Sequence, residues 1–562
     1  MTAVAAQTRP LDPGSARQDS LALTYHRLML VMLVFAGVTL LIVGRLAWLQ
    51  VSTDRSDGGS VGNPLLPPRG DIVDRNGIPL ARTIDAWSIA VHPRKLIGDP
   101  AALAVELNGL MPERSVADYR RILSADKNFV YLQRRAVPEL VAAVNALGEP
   151  AIVFDREPER LYPQTDLAAH VLGWTDYDGQ GVAGMERVLN ERLTDPARRG
   201  DPVALSIDSR VQAAMESELG AAVAKHSAEG ATGIVLDVDT GEVMAMASYP
   251  TFNPNAAGKS PPEAQYNRAT MGVYELGSTF KPITVAAAIE AGVIKSMAQS
   301  YPTGAPLRIG RFSIRDDHPI PGSANIVETL VYSSNIATAQ IADQMGEARM
   351  KAAFRALGFD EAAHIELYEK SRTLFPKEWG RARVLTSGYG HGVAITPLHL
   401  ATAYATLVNG GIWRPATLLK SDKAPAGRRV YSEETSRTMR GLLRMIVLKG
   451  TGRKGEAPGY RVGAKTGTAE KVTAGGGYNR RVNVSTFAAA FPMDDPRYVV
   501  IVMMDAPKGT ADTFGFTTAA WTAAPVVSKV ITRSGPLLGV IPSDRRDVDV
   551  SRFMALVGEA ED

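Results

Sequence analysis

Thr232-Gly-Ile-Val-Leu-Asp-Val-Asp-Thr-Gly-Glu-Val-Met-Ala-Met-Ala247 decides the fold class. Thr232–Asp237 and Val243–Ala247 are apolar runs of strand length, and Asp239-Thr-Gly-Glu242 between them reads as a hairpin turn, so the sheet that starts here is antiparallel. Just upstream, Ser206-Ile-Asp-Ser-Arg210 offers caps for an amphipathic helix over about 209–227, with Val211, Met215, Leu219 and Val223 on one face. Downstream, helix-like and loop-like stretches alternate before more strands at Arg461–Ala464, Ser485–Phe491 and Arg497–Met504. Strands, then helices, then strands within one unit predict an α+β domain, an antiparallel sheet flanked by helices, over residues 203–544.

That unit is part of a 562-residue chain, a length that suits about three or four units. Hydrophobic residues make up 45% and charged residues 22%, enough to build a large core and to exclude wholesale disorder. The net charge of +3 is too balanced for the clustered basic excess of a nucleic-acid binder. The chain has no cysteine, which excludes a disulfide framework, a cysteine nucleophile and thiolate-bound zinc. Its eight histidines show no His-Glu-x-x-His, and Asp316-Asp317-His318 precedes a proline in a loop, so no metal is expected.

One segment departs from the globular average. Leu28 to Gly44 carries no charge, and the apolar run resumes after Arg45 as far as Val51. A helix over Leu28–Val51 would be ~36 Å long, enough to cross a hydrocarbon core of ~30 Å. Ser-Thr-Asp-Arg-Ser-Asp follows, with no small-residue cleavage site, so the segment at 27–51 reads as an uncleaved single-pass anchor. Arg9, Arg17 and Arg27 before it favour a cytoplasmic tail at 1–26. A Gly/Ser/Pro linker leads into a mixed unit assigned to 52–202, in which Ile72-Val73 reads as a strand, Asn76-Gly77 as a turn and Pro138–Leu147 as a helix. Arg545 onward reads as a polar tail.

Three short motifs occur in order inside the second unit. In Ser278-Thr-Phe-Lys281, Pro282 places the serine at or just before a helix start, continued by Ile283–Ala291, and Lys281 at i+3 shares its face. A serine hydroxyl is a weak nucleophile until a neighbouring base takes its proton, and a lysine does so only when its pKa is lowered. Ser333-Ser334-Asn335, ahead of the helix-like Ile336–Met345, brings a hydroxyl and an amide that can face one site across a turn. Lys465-Thr-Gly-Thr468 follows the apolar Val462-Gly-Ala464 at a strand edge. Lys465 would bring a fixed positive charge, and Thr466 and Thr468 hydroxyls suited to a carboxylate. Gly467 would permit close approach of a ligand, and the Thr468 and Ser278 N–H groups would make an oxyanion hole. Each motif alone is an ordinary cap or turn. In this order, 55 residues from Ser278 to Ser333 and 130 from Asn335 to Lys465, they form the signature set of penicillin-interacting serine enzymes.

With these motifs the chain resembles the class B penicillin-binding proteins. Arg69-Gly-Asp-Ile-Val-Asp-Arg-Asn-Gly77, Tyr162-Pro163, His170-Val-Leu-Gly173 and Gly184-Met-Glu186 are similar to the family's pedestal motifs. Asn267-Arg-Ala269, Tyr274-Glu-Leu-Gly-Ser278, Gly388-Tyr-Gly390, Thr396-Pro397 and Asn409-Gly-Gly411 are similar to stretches around its active site. Gly388-Tyr-Gly390 and the compact length resemble the division-specific, FtsI-type branch more than the elongation-specific relative. Leu276, where many members have proline, and Gly463-Ala464, where Ala-Gly is usual, depart from the pattern without removing a reacting group.

The resemblance implies a single transmembrane helix, an elongated pedestal and a transpeptidase domain facing the periplasm. It implies a D,D-transpeptidase of the inner membrane that cross-links peptidoglycan at the division septum. Ser278 would attack the penultimate D-alanine carbonyl of a donor stem peptide, with Lys281 as base. Ser333 would relay a proton to the leaving amine, Asn335 would hold the donor amide, and Lys465, Thr466, Gly467 and Thr468 would bind the terminal carboxylate. β-Lactams would acylate the same serine, and no cofactor is required. A SEDS-class glycan polymerase is the implied membrane partner, and Gly37 and Gly44, seven residues apart on nearly one helix face, would let it approach. The competing readings are a D,D-carboxypeptidase or β-lactamase, an elongation-type enzyme, and a non-catalytic β-lactam sensor or division scaffold. Against a class A β-lactamase, no glutamate between Asn335 and Lys465 stands in a Glu-x-x-Leu-Asn context.

Overall fold

The computed structural model describes residues 25, 27–45, 68–310, 312–421, 423–472 and 478–558, in two compact units divided at Pro64. In the first unit, helix α1 spans Arg27–Arg45, and its 19 residues cover ~28 Å at 1.5 Å each. From Leu28 to Gly44 it carries no charged side chain and is exposed all round, long and apolar enough to cross a membrane. The remainder of the expected anchor, 46–51 with Trp48, lies outside the described residues, as do the tail to Thr24 and the linker at 52–67.

The second unit opens with a sheet in which β2 (Pro79–Val91) pairs antiparallel with β1 (Ile72–Val73), β3 (Val130–Ala136) and β4 (Ile152–Leu161). Helices Pro100–Leu110, Val116–Leu123 and Pro138–Asn145 cover it, burying Leu103, Leu107, Tyr119 and Val144 against Ile89, Val91, Leu132 and Ile152. β5 (Val203–Ala204) runs parallel to β1, and one apolar core continues from Ile72 and Leu80 through Leu205 to Ile234 and Phe280. Packing is therefore continuous across Val203. The turn at Asn76-Gly77 is closed by Asp74, whose carboxylate accepts the N–H groups of Asn76 (2.8 Å) and Ile78 (2.9 Å). The same carboxylate accepts the N–H and hydroxyl of Ser209 at 3.1 and 2.8 Å. The pedestal hairpin thus caps the first helix of the next layer.

Two motifs far apart in the chain meet in a buried ion cluster. Glu186, wholly buried, accepts from Arg69 Nε at 2.7 Å and from Arg160 Nε at 2.6 Å, and Arg69 also donates to Asn190 at 2.7 Å. Removing the anion would leave two buried guanidiniums facing each other, a change that typically costs about 3–5 kcal/mol. Glu186→Ala is expected to lower the apparent melting temperature by several degrees, read by thermal unfolding of the full chain in detergent. An unchanged melting curve would show that the cluster is not structural.

The second layer holds α2 (Ser209–His226), β6 (Gly230–Asp237), β7 (Val243–Tyr249), α3 (Lys281–Glu290), α4 (Ile326–Val331), α5 (Asn335–Ala356, broken at Gly346), α6 (Pro397–Val408), α7 (Glu433–Lys449), β8 (Gly463–Val472), β9 (Tyr478–Phe491), β10 (Tyr498–Asp505) and α8 (Ala523–Ser534). The sheet order is β8-β9-β10-β6-β7, antiparallel throughout. Successive side chains of β10 alternate between two cores. Val499, Ile501 and Met503 join the core that includes residues of α6 and α7, and Val500, Val502 and Met504 the one that includes residues of α2 and α8. Covered on both faces, the strand reads as an unbroken apolar run.

Two expectations change. The strand placed at Arg461–Ala464 begins at Gly463 and continues to Val472, so Lys465–Thr468 lies within the edge strand rather than after it. Arg461 instead takes a positive φ of 50° and pairs with Asp494 at 2.7 Å. The segment from Arg545 is not a free tail as far as Gly558. Asp547 pairs with Arg444 at 2.8 Å, and Phe553 is buried beside Gly441 of α7. Val548, Val550, Leu556 and Val557 pack against the same core, and Asn325 donates to the Leu556 carbonyl at 2.7 Å. Residues 559–562 lie outside the described residues.

Candidate active site

Ser278 sits, half-buried, in a 3₁₀ turn, Gly277–Phe280, that runs directly into α3 with Pro282 in its first turn. With three residues per turn, Ser278 and Lys281 lie on one line of the helix surface. Two other segments press on this turn. A Cβ on Gly467 would lie 2.4 Å from the Leu276 carbonyl oxygen, and one on Gly390, whose φ is +85°, would lie 2.1 Å from that of Gly277. Gly467 therefore admits the nucleophile's own turn against β8, where a ligand was expected. Tyr404 of α6 donates its hydroxyl to the Thr279 carbonyl at 2.9 Å, and Thr284 of α3 donates to Gly388 at 2.8 Å.

Ser333, between α4 and α5, has a φ of +62°, unusual for a residue with a Cβ. It is this residue, not Ser334, that makes the turn; Ser334 is the N-cap of α5 and accepts from Ala337 N at 3.0 Å. The Ser333 hydroxyl lies 3.0 Å from Lys281 Nζ and 2.9 Å from Lys465 Nζ. Lys281 also donates to the Ser333 carbonyl, and Lys465 to that of Thr466 at 3.0 Å. Among the described residues Lys281 is hydrogen-bonded to Ser333 and not to Ser278.

Both lysines are fully buried. Burial lowers the Lys281 pKa to about 7, against the opposing pull of Asp316 and Asp317. Lys465 is also pushed well down, first by burial and then by the charge of Lys281, with Asp317 opposing. Two ammonium groups sharing one hydroxyl repel, so burial and the neighbouring Lys281 both work against the positive charge that the sequence context of Lys465 suggests.

Ser278, Lys281, Ser333 and Lys465 thus converge from α3, the α4–α5 turn and β8. Thr466 stands beside Lys465, its hydroxyl 2.8 Å from that of Thr451, and Thr468 Oγ1 accepts from Ala519 N at 3.4 Å. Asn335 is half-buried and its amide donates to the Arg315 carbonyl at 2.9 Å. Thr451 and Tyr404 belong to no motif; each meets the site only through tertiary packing. A cavity of about 350 Å³ lies elsewhere, lined by His170, Trp174, Phe252 and Tyr266 at the pedestal junction.

A serine at a helix start, backed by two buried amines that share a second serine, defines an active-serine acyl-transfer site. Residues 231–528 match the penicillin-binding protein transpeptidase domain family, and residues 64–194 the penicillin-binding protein dimerisation domain family. The chain is 38% identical over 532 residues to the probable peptidoglycan D,D-transpeptidase FtsI of Caulobacter vibrioides, covering 92% of this chain and 89% of that one. It is 33% identical over 507 residues to peptidoglycan D,D-transpeptidase FtsI of Escherichia coli, covering 83% and 85%. The crystal structure of penicillin-binding protein 3 from Mycobacterium tuberculosis complexed with ampicillin matches with a TM-score of 0.68 at 25% identity, over 85% of this chain and 97% of that one. The chain belongs to the penicillin-binding protein transpeptidase family, among the FtsI-type D,D-transpeptidases.

Proposed function

We propose that this chain cross-links peptidoglycan stem peptides at the division septum through an acyl-serine intermediate, and that β-lactams acylate the same serine. The observation that carries this reading is the Ser333 hydroxyl held between two buried lysine amines, 3.0 and 2.9 Å away, next to the turn of Ser278. Ser278 Oγ attacks the penultimate D-alanine carbonyl and gives its proton to neutral Lys281. The peptide bond to the terminal D-alanine breaks, and Ser333 passes a proton to the departing amine. An acceptor amine then attacks the ester, forms the cross-link and returns the proton to Ser278. Lys465, with Thr466 and Thr468 around Gly467, binds the donor's carboxylate. An arriving anion favours the charged form of Lys465, against the burial that disfavours it. Asn335 orients the donor amide.

Support for transfer over hydrolysis comes from the family match along both the pedestal and the catalytic domain. The test is release of D-alanine from a pentapeptide stem, with and without an acceptor amine. Release with cross-linked product supports the transpeptidase; release with hydrolysed product alone supports the carboxypeptidase, and none at all a sensor.

Helix α1, charge-free between its terminal arginines, fits a single-pass inner-membrane anchor, and we place its N-terminus in the cytoplasm and the catalytic domain in the periplasm. The membrane partner that we propose is a SEDS-class glycan polymerase, approaching on the face of Gly37 and Gly44. Gly37→Leu with Gly44→Leu is expected to reduce co-purification of the polymerase while leaving insertion and penicillin labelling intact. Equal recovery would move the interface to the pedestal around Arg69–Gly77.

A further inference from the structure

The Ser333–Asn335 turn carries two burdens. Ser333 holds a backbone conformation that its side chain disfavours, and the turn opens α5, whose first N–H groups have no acceptor inside the helix. Ser334 satisfies one of them. Two others, Asn335 N and Ile336 N, donate at 2.5 and 2.9 Å to a single oxygen, Asp316 Oδ1. The second carboxylate oxygen, Oδ2, accepts the Ser334 hydroxyl at 2.8 Å. The Arg315 carbonyl beside it takes the Asn335 amide at 2.9 Å. One carboxylate, delivered by the loop after the small hairpin of Leu307–Ile309 and Phe312–Ile314, therefore grips three consecutive residues.

We propose that Asp316 is a positioning residue of the acylation site: its carboxylate locks the Ser333–Asn335 turn and so holds the Ser333 hydroxyl between the two lysine amines. This rests on the reading that Ser278 is acylated with Lys281 as base. A turn held at three points cannot relax toward an ordinary φ at Ser333 without breaking charge-assisted hydrogen bonds. Asp316 also bears on the base electrostatically. The charged groups around Lys281 are Lys465 of β8, which favours its neutral form, and Asp316 and Asp317 of the loop, which favour the protonated form. Removing the Asp316 charge should make Lys281 easier to deprotonate even as the turn loosens.

Those two consequences separate positioning from simple helix capping. Asp316→Asn keeps an acceptor for the two backbone N–H groups and loses the charge; Asp316→Ala loses both. The measurement is the second-order rate of acylation by a fluorescent penicillin against pH, on the full chain in detergent, with a thermal melt of each variant. Misplacing a reacting group by about 1 Å can cost ~10²-fold, and that loss is expected for Asp316→Ala. Asp316→Asn is expected to lose roughly 10-fold, with the acid limb of its profile moved to lower pH. A cap alone would lower the melting curve and leave the plateau rate of acylation above the limb unchanged, and this result, or wild-type acylation in both variants, overturns the proposal. If Asp316→Ala does not fold, Asp316→Asn decides by the same two readouts. A wild-type chain that is not labelled at Ser278 would instead refute the proposed function, and the positioning role with it.

Discussion

The Ser278→Ala chain is expected to carry no covalent penicillin adduct, with labelling at background, while it remains folded and inserted. Ser278 alone combines a helix start, a buried amine at i+3 and partial exposure to a ligand. The neighbouring hydroxyls are committed elsewhere. Ser333 is engaged by two lysines, and Ser334 is buried and bound to Asp316. Intact-mass measurement after penicillin treatment, followed by peptide mapping, checks this. One adduct is expected in the wild type, on the peptide containing Ser278, and it should persist, because no glutamate between Asn335 and Lys465 has the context of a deacylating base. An adduct of equal yield in the alanine variant would place the nucleophile elsewhere, and rapid multiple turnover of the β-lactam would favour the hydrolase.

Loss of Lys281 should have the next largest effect. General-base removal typically costs ~10²–10⁴-fold, and acylation by Lys281→Ala is expected in that range. The pH profile gives the sign. In the proposed mechanism the base is the neutral amine, and burial brings the Lys281 pKa to about 7. Acylation in the wild type should therefore rise with pH through about 7 and level off above it. Below that pH the amine is protonated and has no lone pair to accept the serine proton. The variant should lose the inflection. Its loss also relieves the like-charge repulsion on Lys465, whose pKa should move upward. Lys281→Met keeps most of the buried stem, so it distinguishes a lost base from a lost packing group. Near-normal acylation in both variants would assign the base role to Lys465.

Much of this molecule was legible in the chain because the relevant physics is local. A charge-free stretch at 28–44 can only be solvated by something apolar, and α1 covers it. The hairpin at 232–247 is written in two apolar runs and a turn, and β6 and β7 form there. Pro282 marks a helix start, which places Ser278 and Lys281 on one face. The order of the three motifs identified the chemistry before any geometry was known.

What tertiary structure alone decided is which groups share space and charge. Lys465 reads as a cation in isolation, and only its burial beside Lys281 shows it titrating low. Ser333 gives no local sign of a left-handed backbone, and the two residues that follow it, Ser334 and Asn335, are bound by Asp316 from another loop. Gly467 looks open to a ligand in a single strand, and only the packed Leu276 carbonyl shows what occupies the space. Phe553 is one aromatic residue in a polar run until it meets α7. Backbone propensity and hydrophobic pattern act within a few residues and are written in order along the chain. Desolvation, charge coupling and close approach depend on neighbours brought in from other elements, and those exist only once the chain has folded.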